Sequence, residues 1–213
     1  MNHTNQLKHL PLNISSFNKI HDYNMTYVDK THLIYSLVSM PGQYFLSRPR
    51  RFGKSLLVSL LKHLFLGHKD YFKGLWIYDH WQFSSTPVIV FDFNEISHMT
   101  PLELEKGLFD VLDIIAGNYH VKLTKTMLKE RLAELIRKVS IQHGKVIVLV
   151  DEYDKPIIDH LGLDDNRLHI AKENRSILKN FLVHLKVRVL LNGSLFCSLP
   201  GYLNSAMFQF FQT

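Results

Sequence analysis

The chain has 213 residues, a length that allows one ordinary domain or a domain with a small appendage. Hydrophobic residues make up 46% of it and charged residues 21%, which is typical of a globular core and excludes collagen-like and low-complexity chains. The net charge of +6 permits binding to a polyanion. Because three positive charges lie in the short run from Arg48 to Arg51, a local anion site explains the charge at least as well as a nucleic-acid surface.

The single cysteine, Cys197, excludes an intramolecular disulfide framework and a cysteine-rich zinc site, and it favours a reducing, cytoplasmic location. The histidines show no metal-ligand spacing, and we expect His63 and His68 to be exposed. The longest apolar runs are far shorter than the roughly 20 residues that a membrane helix needs. The first residues lack the apolar segment of a secretory signal, so we expect no membrane partner.

In chain order, residues 1–20 are polar and aperiodic, which predicts a loosely ordered leader. Asp29 can cap a short helix. Four apolar residues share one face of that helix: Leu33, Ile34, Leu37 and Val38. Residues 43–47 predict a strand. Residues 56–66 predict a helix that is apolar almost all round and ends at Gly67.

The middle of the chain contains a second strand and a well-marked helix start. Residues 87–93 predict a buried strand. Thr100, Pro101 and Glu103 form a capping box with proline at the first helical position, which opens a helix to about Gly117.

A further helix and the strongest strand follow. Thr124 can cap a helix that ends near Gly144. Lys145–Asp151 is apolar without alternation, which indicates a strand buried on both faces of a parallel sheet. The alternation of strands with helices therefore predicts an α/β sandwich.

The first strand leads through a basic loop into Gly53, Lys54, Ser55 and a helix, which is the context that a phosphate-binding loop requires. The Lys54 ammonium would reach the β- and γ-phosphates, and the Ser55 hydroxyl would bind Mg²⁺. The strict motif has glycine five positions before Gly53, where this chain has Arg48. The motif alone is a partial match, and a basic turn before an ordinary helix is the alternative.

Two acids complete the candidate site. The buried strand ends in Asp151 and Glu152, at the edge where an open α/β sheet binds its ligands. Asp151 would hold the magnesium ion, directly or through water, and Glu152 would polarise the attacking water. The alternative is a pair of surface acids that close a strand. Because the elements have the required types and order, we favour a nucleotide site.

Three segments carry a resemblance to a known family: Tyr27–Thr31, Tyr44–Leu56 and Val150–Pro156. They resemble the bacterial AAA-ATPase-like family, and the likeness spans about residues 20 to 181. The middle segment is highly specific, and Arg48 in place of glycine agrees with this family. Its members commonly carry a restriction-endonuclease-like nuclease domain after the ATPase part.

The resemblance implies an additional-strand, AAA-like P-loop NTPase, a three-layer α/β sandwich whose mostly parallel sheet has one strand between the P-loop strand and the Asp151 strand. It implies ATP and Mg²⁺ as cofactors, with Lys54 and Glu152 as catalytic residues. Ser55 and Asp151 would be the metal ligands. The loop that binds the nucleotide would comprise Arg48, Pro49, Arg50, Arg51, Phe52, Gly53, Lys54, Ser55 and Leu56.

Several polar residues allow two interpretations. Arg50 and Arg51 would touch phosphate or a neighbouring subunit's nucleotide, or would form a solvated basic loop. Asp92 would support the metal site, or would be a satisfied acid at a strand end. We expect Asp154 and Lys155 to form a surface turn.

The last part of the chain has an unusual composition. Residues 182–213 contain two charged side chains, Lys186 and Arg188, and an exposed segment of this kind would promote aggregation. We assign residues 21–191 to the ATPase core, with 186–191 as the strand that follows the acidic motif, and 192–213 to an apolar tail.

A different reading frame offers an explanation of that tail. With synonymous codons chosen freely, residues 199–213 can be re-read as a string that resembles the strand and sensor segment of this family. We therefore hypothesise a −1-type frameshift near Phe181, which would leave the fold C-terminally incomplete. The alternative is an apolar strand followed by a buried terminal segment.

Three functions stay open on the sequence. The first is an ATPase core that couples Mg-ATP binding and hydrolysis to a conformational change, acting as a homo-oligomer or with a partner protein. The second is a nucleotide-binding fragment that does not hydrolyse ATP. The third is a module associated with nucleic acid through a missing nuclease domain, and it has the least support because no basic helix interleaved with aromatic residues is present.

Overall fold

The computed structural model of the chain describes residues 8–39, 43–48, 52–162, 164–192 and 195–200, and within 43–48, 183–192 and 195–200 it describes the backbone alone. The helices are α1 (Phe17–Asp22), α2 (Thr31–Val38), α3 (Lys54–Phe65), α4 (Pro101–Asn118), α5 (Leu128–His143), α6 (Lys155–Ile158) and α7 (Asp165–Asn192). The strands are β1 (Gln43–Arg48), β2 (Val88–Asp92), β3 (Ile147–Asp151) and β4 (Leu195–Pro200).

The four strands form one sheet in the order β1–β4–β3–β2, and all three pairings are parallel. Asp92 pairs in register with Asp151, and Arg48 pairs with Pro200. The carboxyl ends of the strands therefore lie along one edge of the sheet. The predicted α/β class with a parallel sheet is confirmed.

Helices cover both faces of this sheet. Val148 and Val150 of β3 belong to a core cluster that also contains residues of α4, α5 and α7, whereas Ile147 and Leu149 belong to a second cluster with residues of α1 and α3. All five residues of β3 are buried. A strand that is covered on both sides must be apolar at every position, which explains why β3 lacks alternation.

The helix that follows β1 begins at Lys54, two residues before the predicted start, and ends as the sequence indicates. Gly67 has a φ of +77° and lies just past the end of α3. The amide of Gly67 donates to the carbonyl of Leu64 (3.2 Å), and the amide of His68 donates to that of His63 (3.0 Å). This pair of bonds is a Schellman motif, which requires the left-handed conformation that glycine adopts without strain.

The two later helix starts differ in how well the sequence predicts them. The predicted N-cap of α4 is confirmed, because the Thr100 hydroxyl accepts from the amide of Glu103 (3.2 Å), while the Glu103 carboxylate accepts from the hydroxyl of Ser97 (2.7 Å). The cap predicted at Thr124 is wrong, since α5 begins at Leu128 with Met127 before it. Thr124 instead donates its amide and its hydroxyl to the carboxylate of Glu134, at 2.9 and 2.8 Å.

The N-cap of α2 is Lys30 rather than Asp29 as predicted, but the Asp29 carboxylate still binds the first amide of the helix and has a second role. Its Oδ1 accepts from the amide and the hydroxyl of Thr31, and its Oδ2 accepts from the amide of Trp76 (2.6 Å). The same carboxylate therefore fixes the start of α2 and the short 3₁₀ turn at Trp76–Asp79. Leu33 is 58% exposed, so the buried face of α2 is narrower than the apolar pattern suggests.

The two ends of the predicted core also differ from expectation. Phe17 and Ile20, inside the segment expected to be a loose leader, are buried with 2% and 3% exposure. At the other end, the strand expected at 186–191 is wrong, because these residues belong to α7. The strand between β1 and β3 is β4, which lies within the segment assigned to the tail. Residues 201–213 lie outside the described part of the chain.

None of the helices in the described ranges is long and apolar enough to span a membrane.

Candidate functional site

The carboxyl edge of the sheet brings together acids from neighbouring strands. Asp92 ends β2, Asp151 ends β3, and the amide of Phe93 donates to the Asp151 carbonyl (3.1 Å). The Asp92 carboxylate accepts from the amide and the side-chain nitrogen of Asn94, both at 2.9 Å. Asp92 is therefore a satisfied strand-end acid, and its charge still acts on Asp151.

The first turn of α3 faces this acidic edge. Gly53, with a φ of +73°, precedes the helix and has no side chain to cap its first amides. Lys54 is buried, with 5% of its surface exposed, and Ser55 is half-buried. The hydroxyl of Ser55 hydrogen-bonds to the carboxylate of Asp151. The two motifs that the sequence separates by almost a hundred residues therefore meet in one site.

The electrostatics of Asp151 indicate a place for a cation. Burial raises the pKa of Asp151, and the negative charges of Asp92 and Glu152 raise it further. Hydrogen bonds from the Ser55 hydroxyl and the Glu152 amide act in the opposite direction without reversing the shift. A buried carboxylate beside two other acids is stabilised when a positive charge binds next to it.

Glu152 stands in an uncommon backbone conformation. Its φ is +51°, in the left-handed region that residues other than glycine adopt rarely. Its carbonyl accepts from the amide of Lys155 (3.0 Å), which closes the turn between β3 and α6. The Glu152 side chain is half-exposed. This turn sets the direction in which the Glu152 carboxylate leaves the sheet.

The donor atoms at this edge fit a magnesium ion. Ser55 and Asp151 present a hydroxyl and a carboxylate that already contact each other, and Mg²⁺ prefers oxygen ligands. A magnesium site of this kind takes its remaining ligands from water and nucleotide phosphates. Lys54, next to Ser55, would supply positive charge for those phosphates.

Part of the predicted nucleotide-binding loop lies within the described residues. Pro49, Arg50 and Arg51 lie outside the described residues, and Arg48 is described only as the backbone end of β1. Phe52 is 62% exposed. Leu56 is half-buried and packs against the cluster that contains the α3 core residues.

The expected surface turn after the acidic motif is wrong for Asp154. Asp154 is 3% exposed, and its carbonyl accepts from the amides of Ile157 and Ile158 at the start of α6. Lys155 is half-buried, and its ammonium bonds to Asp159 at 2.6 Å. Tyr153, the residue before Asp154, is also buried and belongs to the core cluster with α4, α5 and α7.

The expectation for the two histidines is only half right: His68 is exposed, but His63 is half-buried, and they pair at the far end of α3. The Schellman motif brings them together, with 2.9 Å between their Nδ1 atoms. Burial, then the positive charges of His68 and Lys62, lower the pKa of His63 to about 4. Across the described ranges, no three His, Cys, Asp or Glu side chains form a metal-binding group.

Sequence reasoning missed a buried polar group behind the acidic turn. Asn174 and His160 are fully buried and His98 is 8% exposed, although they lie far apart in the chain. Both Asn174 and His160 donate to the His98 carbonyl, at 3.0 and 2.8 Å. No local motif marks these residues, because their bonds join segments that are distant in sequence.

The site therefore joins a strand–loop–helix unit to an acidic strand end within an α/β domain. Residues 11–197 match the model of the AAA-ATPase-like family, described as "Predicted AAA-ATPase", and the chain belongs to this family. Membership indicates an ATP-binding domain and agrees with the resemblance seen in the sequence.

One curated relative comes from Azotobacter chroococcum mcd 1 and is named "Uncharacterized protein in vnfD 5'region". The two sequences are 39% identical over 182 residues, which is 84% of this chain and 34% of the relative. The chain thus spans about a third of the length of that protein. No solved structure matches the chain.

Proposed function

We propose that the chain is an additional-strand P-loop ATPase core that binds Mg-ATP and hydrolyses it to drive a conformational change. The observation that carries the proposal is the hydrogen bond from Ser55 to Asp151, which joins the start of α3 to the end of β3. A phosphate-binding loop and an acidic strand must meet in this way to hold a metal ion between them.

The strand order also supports the proposal. β4 lies between β1 and β3, so one strand separates the loop that ends at Ser55 from the strand that ends at Asp151. This is the order that the family resemblance implies for an additional-strand P-loop fold. Helices on both faces of the parallel sheet are in keeping with it.

Each residue then has a distinct role. The Lys54 ammonium neutralises charge on the β- and γ-phosphates, and the amides of the first turn of α3 donate to phosphate oxygens. Ser55 and Asp151 hold the magnesium ion, which when bound neutralises charge that develops on the phosphates. Glu152 accepts a proton from the attacking water. Arg50 and Arg51 would contact phosphate in the same subunit or in a neighbouring one.

Assays of ATP binding and phosphate release distinguish this function from two alternatives. A nucleotide-binding module that does not hydrolyse ATP would share the whole site and would differ from the ATPase only in turnover. An association with nucleic acid rests on the net charge of +6 and on the nuclease domain that members of the family commonly carry. The longer relative allows for a further domain in the complete protein.

Titration calorimetry with ATP, with and without Mg²⁺, followed by an assay of phosphate release, tests the proposal on the full chain. We expect ATP binding that Mg²⁺ strengthens, together with slow release of phosphate. Binding without release would favour the non-hydrolysing module. Salt-sensitive retention on DNA without any affinity for ATP would favour the association with nucleic acid.

A further inference from the structure

Asn174, in α7, joins the two loops that leave the carboxyl ends of β2 and β3. It is fully buried, and its side-chain nitrogen donates to the carbonyl of His98 (3.0 Å) and to that of Pro156 (2.8 Å). His98 belongs to the loop after β2, and Pro156 lies in α6, just after the turn at Glu152. One amide group therefore ties together the two segments that follow the acidic strand ends.

A second buried side chain strengthens the same junction. The Nε2 atom of His160 donates to the His98 carbonyl (2.8 Å), so this carbonyl accepts two bonds from buried donors. The Nδ1 atom of His160 then accepts from the guanidinium of Arg167 (3.2 Å). These partners assign a neutral imidazole with its proton on Nε2, because a carbonyl cannot donate and a guanidinium cannot accept.

The ring of His98 makes a third connection. Its Nδ1 lies 2.8 Å from the carbonyl of Ile96, and its Nε2 lies 3.1 Å from the carboxylate of Asp159. Burial would raise the pKa of Asp159, but bonds from Lys155 and His98 outweigh it and lower the pKa. The two ring nitrogens of His98 therefore join the loop after β2 to Asp159, just beyond the end of α6.

Lys155 links this network to the candidate catalytic turn. Its side chain bonds to Asp159, and its backbone amide bonds to the carbonyl of Glu152. The positive φ of Glu152 is unfavourable by itself and persists only where the surroundings hold it. The bonds from Asn174 fix α6, and α6 in turn fixes that conformation.

We propose that Asn174 is a positioning residue that clamps the loops after β2 and β3 and so holds the Glu152 carboxylate in place for water activation. The ion pair of Lys155 with Asp159, whose carboxylate also contacts the His98 ring, supports the clamp at its outer side. This inference rests on the proposed ATPase function, because it assigns a consequence for turnover.

The test replaces Asn174 by aspartate, which keeps the size of the side chain: an ionised aspartate donates neither bond, and a protonated one donates only one of them. N174D should lower kcat by roughly 10- to 100-fold, the scale for a misplaced catalytic group. The Kd for ATP should change by less than about threefold, because Lys54 and Ser55 are untouched. N166D, an exposed asparagine of the same helix, is the matched control and should leave both values unchanged.

A double-mutant cycle separates positioning from general damage. In the E152Q background, N174D should cause little further loss, because the group that it positions is already neutral and cannot accept the proton. A further loss of the same size in that background would overturn the clamp. If N174D does not fold, D159N breaks the outer ion pair at a partly exposed position and should lower kcat in the same direction.

Hydrogen exchange gives a readout that needs no nucleotide. The amide of Lys155, which donates to Glu152, should exchange roughly 10-fold faster or more in N174D or D159N than in the wild type. Unchanged exchange or unchanged kcat in folded variants would overturn the clamp alone. A wild-type chain that binds no ATP would instead contradict the proposed function.

Discussion

The hydroxyl of Ser55 hydrogen-bonds to the carboxylate of Asp151, although β4 lies between β1, the strand that precedes α3, and β3. Ser55 belongs to the first turn of α3, and Asp151 ends β3. The bond brings the buried carboxylate and the start of α3 together at the carboxyl edge of the sheet. The same bond partly offsets the cost of burying the negative charge of Asp151.

Replacing Lys54 by alanine should abolish detectable ATP binding and leave the fold intact. The ammonium is a single positive charge at a helix N-terminus, where phosphate also meets the backbone amides. Titration calorimetry measures the affinity, and circular dichroism checks the fold. K62A removes an exposed lysine from the same helix and should bind ATP as the wild type does. An unchanged affinity in K54A would show that Lys54 does not contact phosphate.

Replacing Glu152 by glutamine should keep ATP binding and lower turnover by about 100-fold or more, because glutamine cannot accept the proton of the attacking water. Phosphate release and ATP affinity are measured side by side. E95Q, an exposed glutamate in the loop after β2, is the control and should keep full turnover. An equal loss of affinity in E152Q would instead indicate a metal ligand or a folding residue.

Local patterns predict a large part of the fold, because their physical cause lies within a few residues. The N-cap bond between Thr100 and the Glu103 amide is a contact between residues three apart, and it forms as the sequence indicates. The apolar strand that ends at Asp151 is buried on both faces, as its sequence indicates, because side chains that are apolar at every position must be covered on both sides. The meeting of Ser55 with Asp151 follows once the parallel order of the strands is known.

Contacts between distant segments escape this kind of prediction. Thr124 has the side chain of a helix cap, yet its amide and its hydroxyl both donate to the carboxylate of Glu134, which lies ten residues further along the chain. Asn174 is one asparagine among many in the sequence, and only the folded chain places it against the loops of His98 and Pro156. The strand between β1 and β3 was expected in 186–191, where α7 continues instead.

Replacing Asp151 by asparagine should raise the midpoint of thermal unfolding of the nucleotide-free chain by a few degrees, because it removes a buried charge beside two acids. It should also remove the stabilisation by Mg-ATP. The raised pKa of Asp151 means that the folded chain binds this proton more tightly than the unfolded chain does, so the wild type gains stability as the pH falls. The advantage of D151N should therefore shrink towards acidic pH. A lower midpoint at neutral pH would contradict this account.

Replacing Glu134 by glutamine should lower the free energy of unfolding by about 1–3 kcal/mol, since the charged carboxylate is buried and accepts bonds from Thr124, Lys125 and Lys138. Burial alone would raise the pKa of Glu134, but these bonds outweigh it and lower the pKa well below the usual range. The stability is therefore present above the ordinary glutamate pKa of about 4.3 and is lost as the pH falls below it. Urea unfolding at neutral and acidic pH measures the difference, with the exposed E105Q as control. A constant difference down to acidic pH would refute the role of the charge.

Removing residues 195–213 should abolish the cooperative thermal transition, whereas removing only 201–213 should preserve it. β4 pairs with β1 on one side and with β3 on the other, so its loss separates the strand before the nucleotide loop from the strand that ends at Asp151. Without β4, the backbone N–H and C=O groups of β1 and β3 that pair with it would lose their partners inside the sheet. The shorter truncation keeps all four strands and removes an uncharged segment with three phenylalanines, which should also reduce aggregation. Calorimetry on the two truncated chains and the full chain shows which of them unfold cooperatively and at what temperature. If the chain without 195–213 unfolds like the full chain, β4 does not hold the sheet together, and the hypothesis of a frameshift near Phe181 gains support.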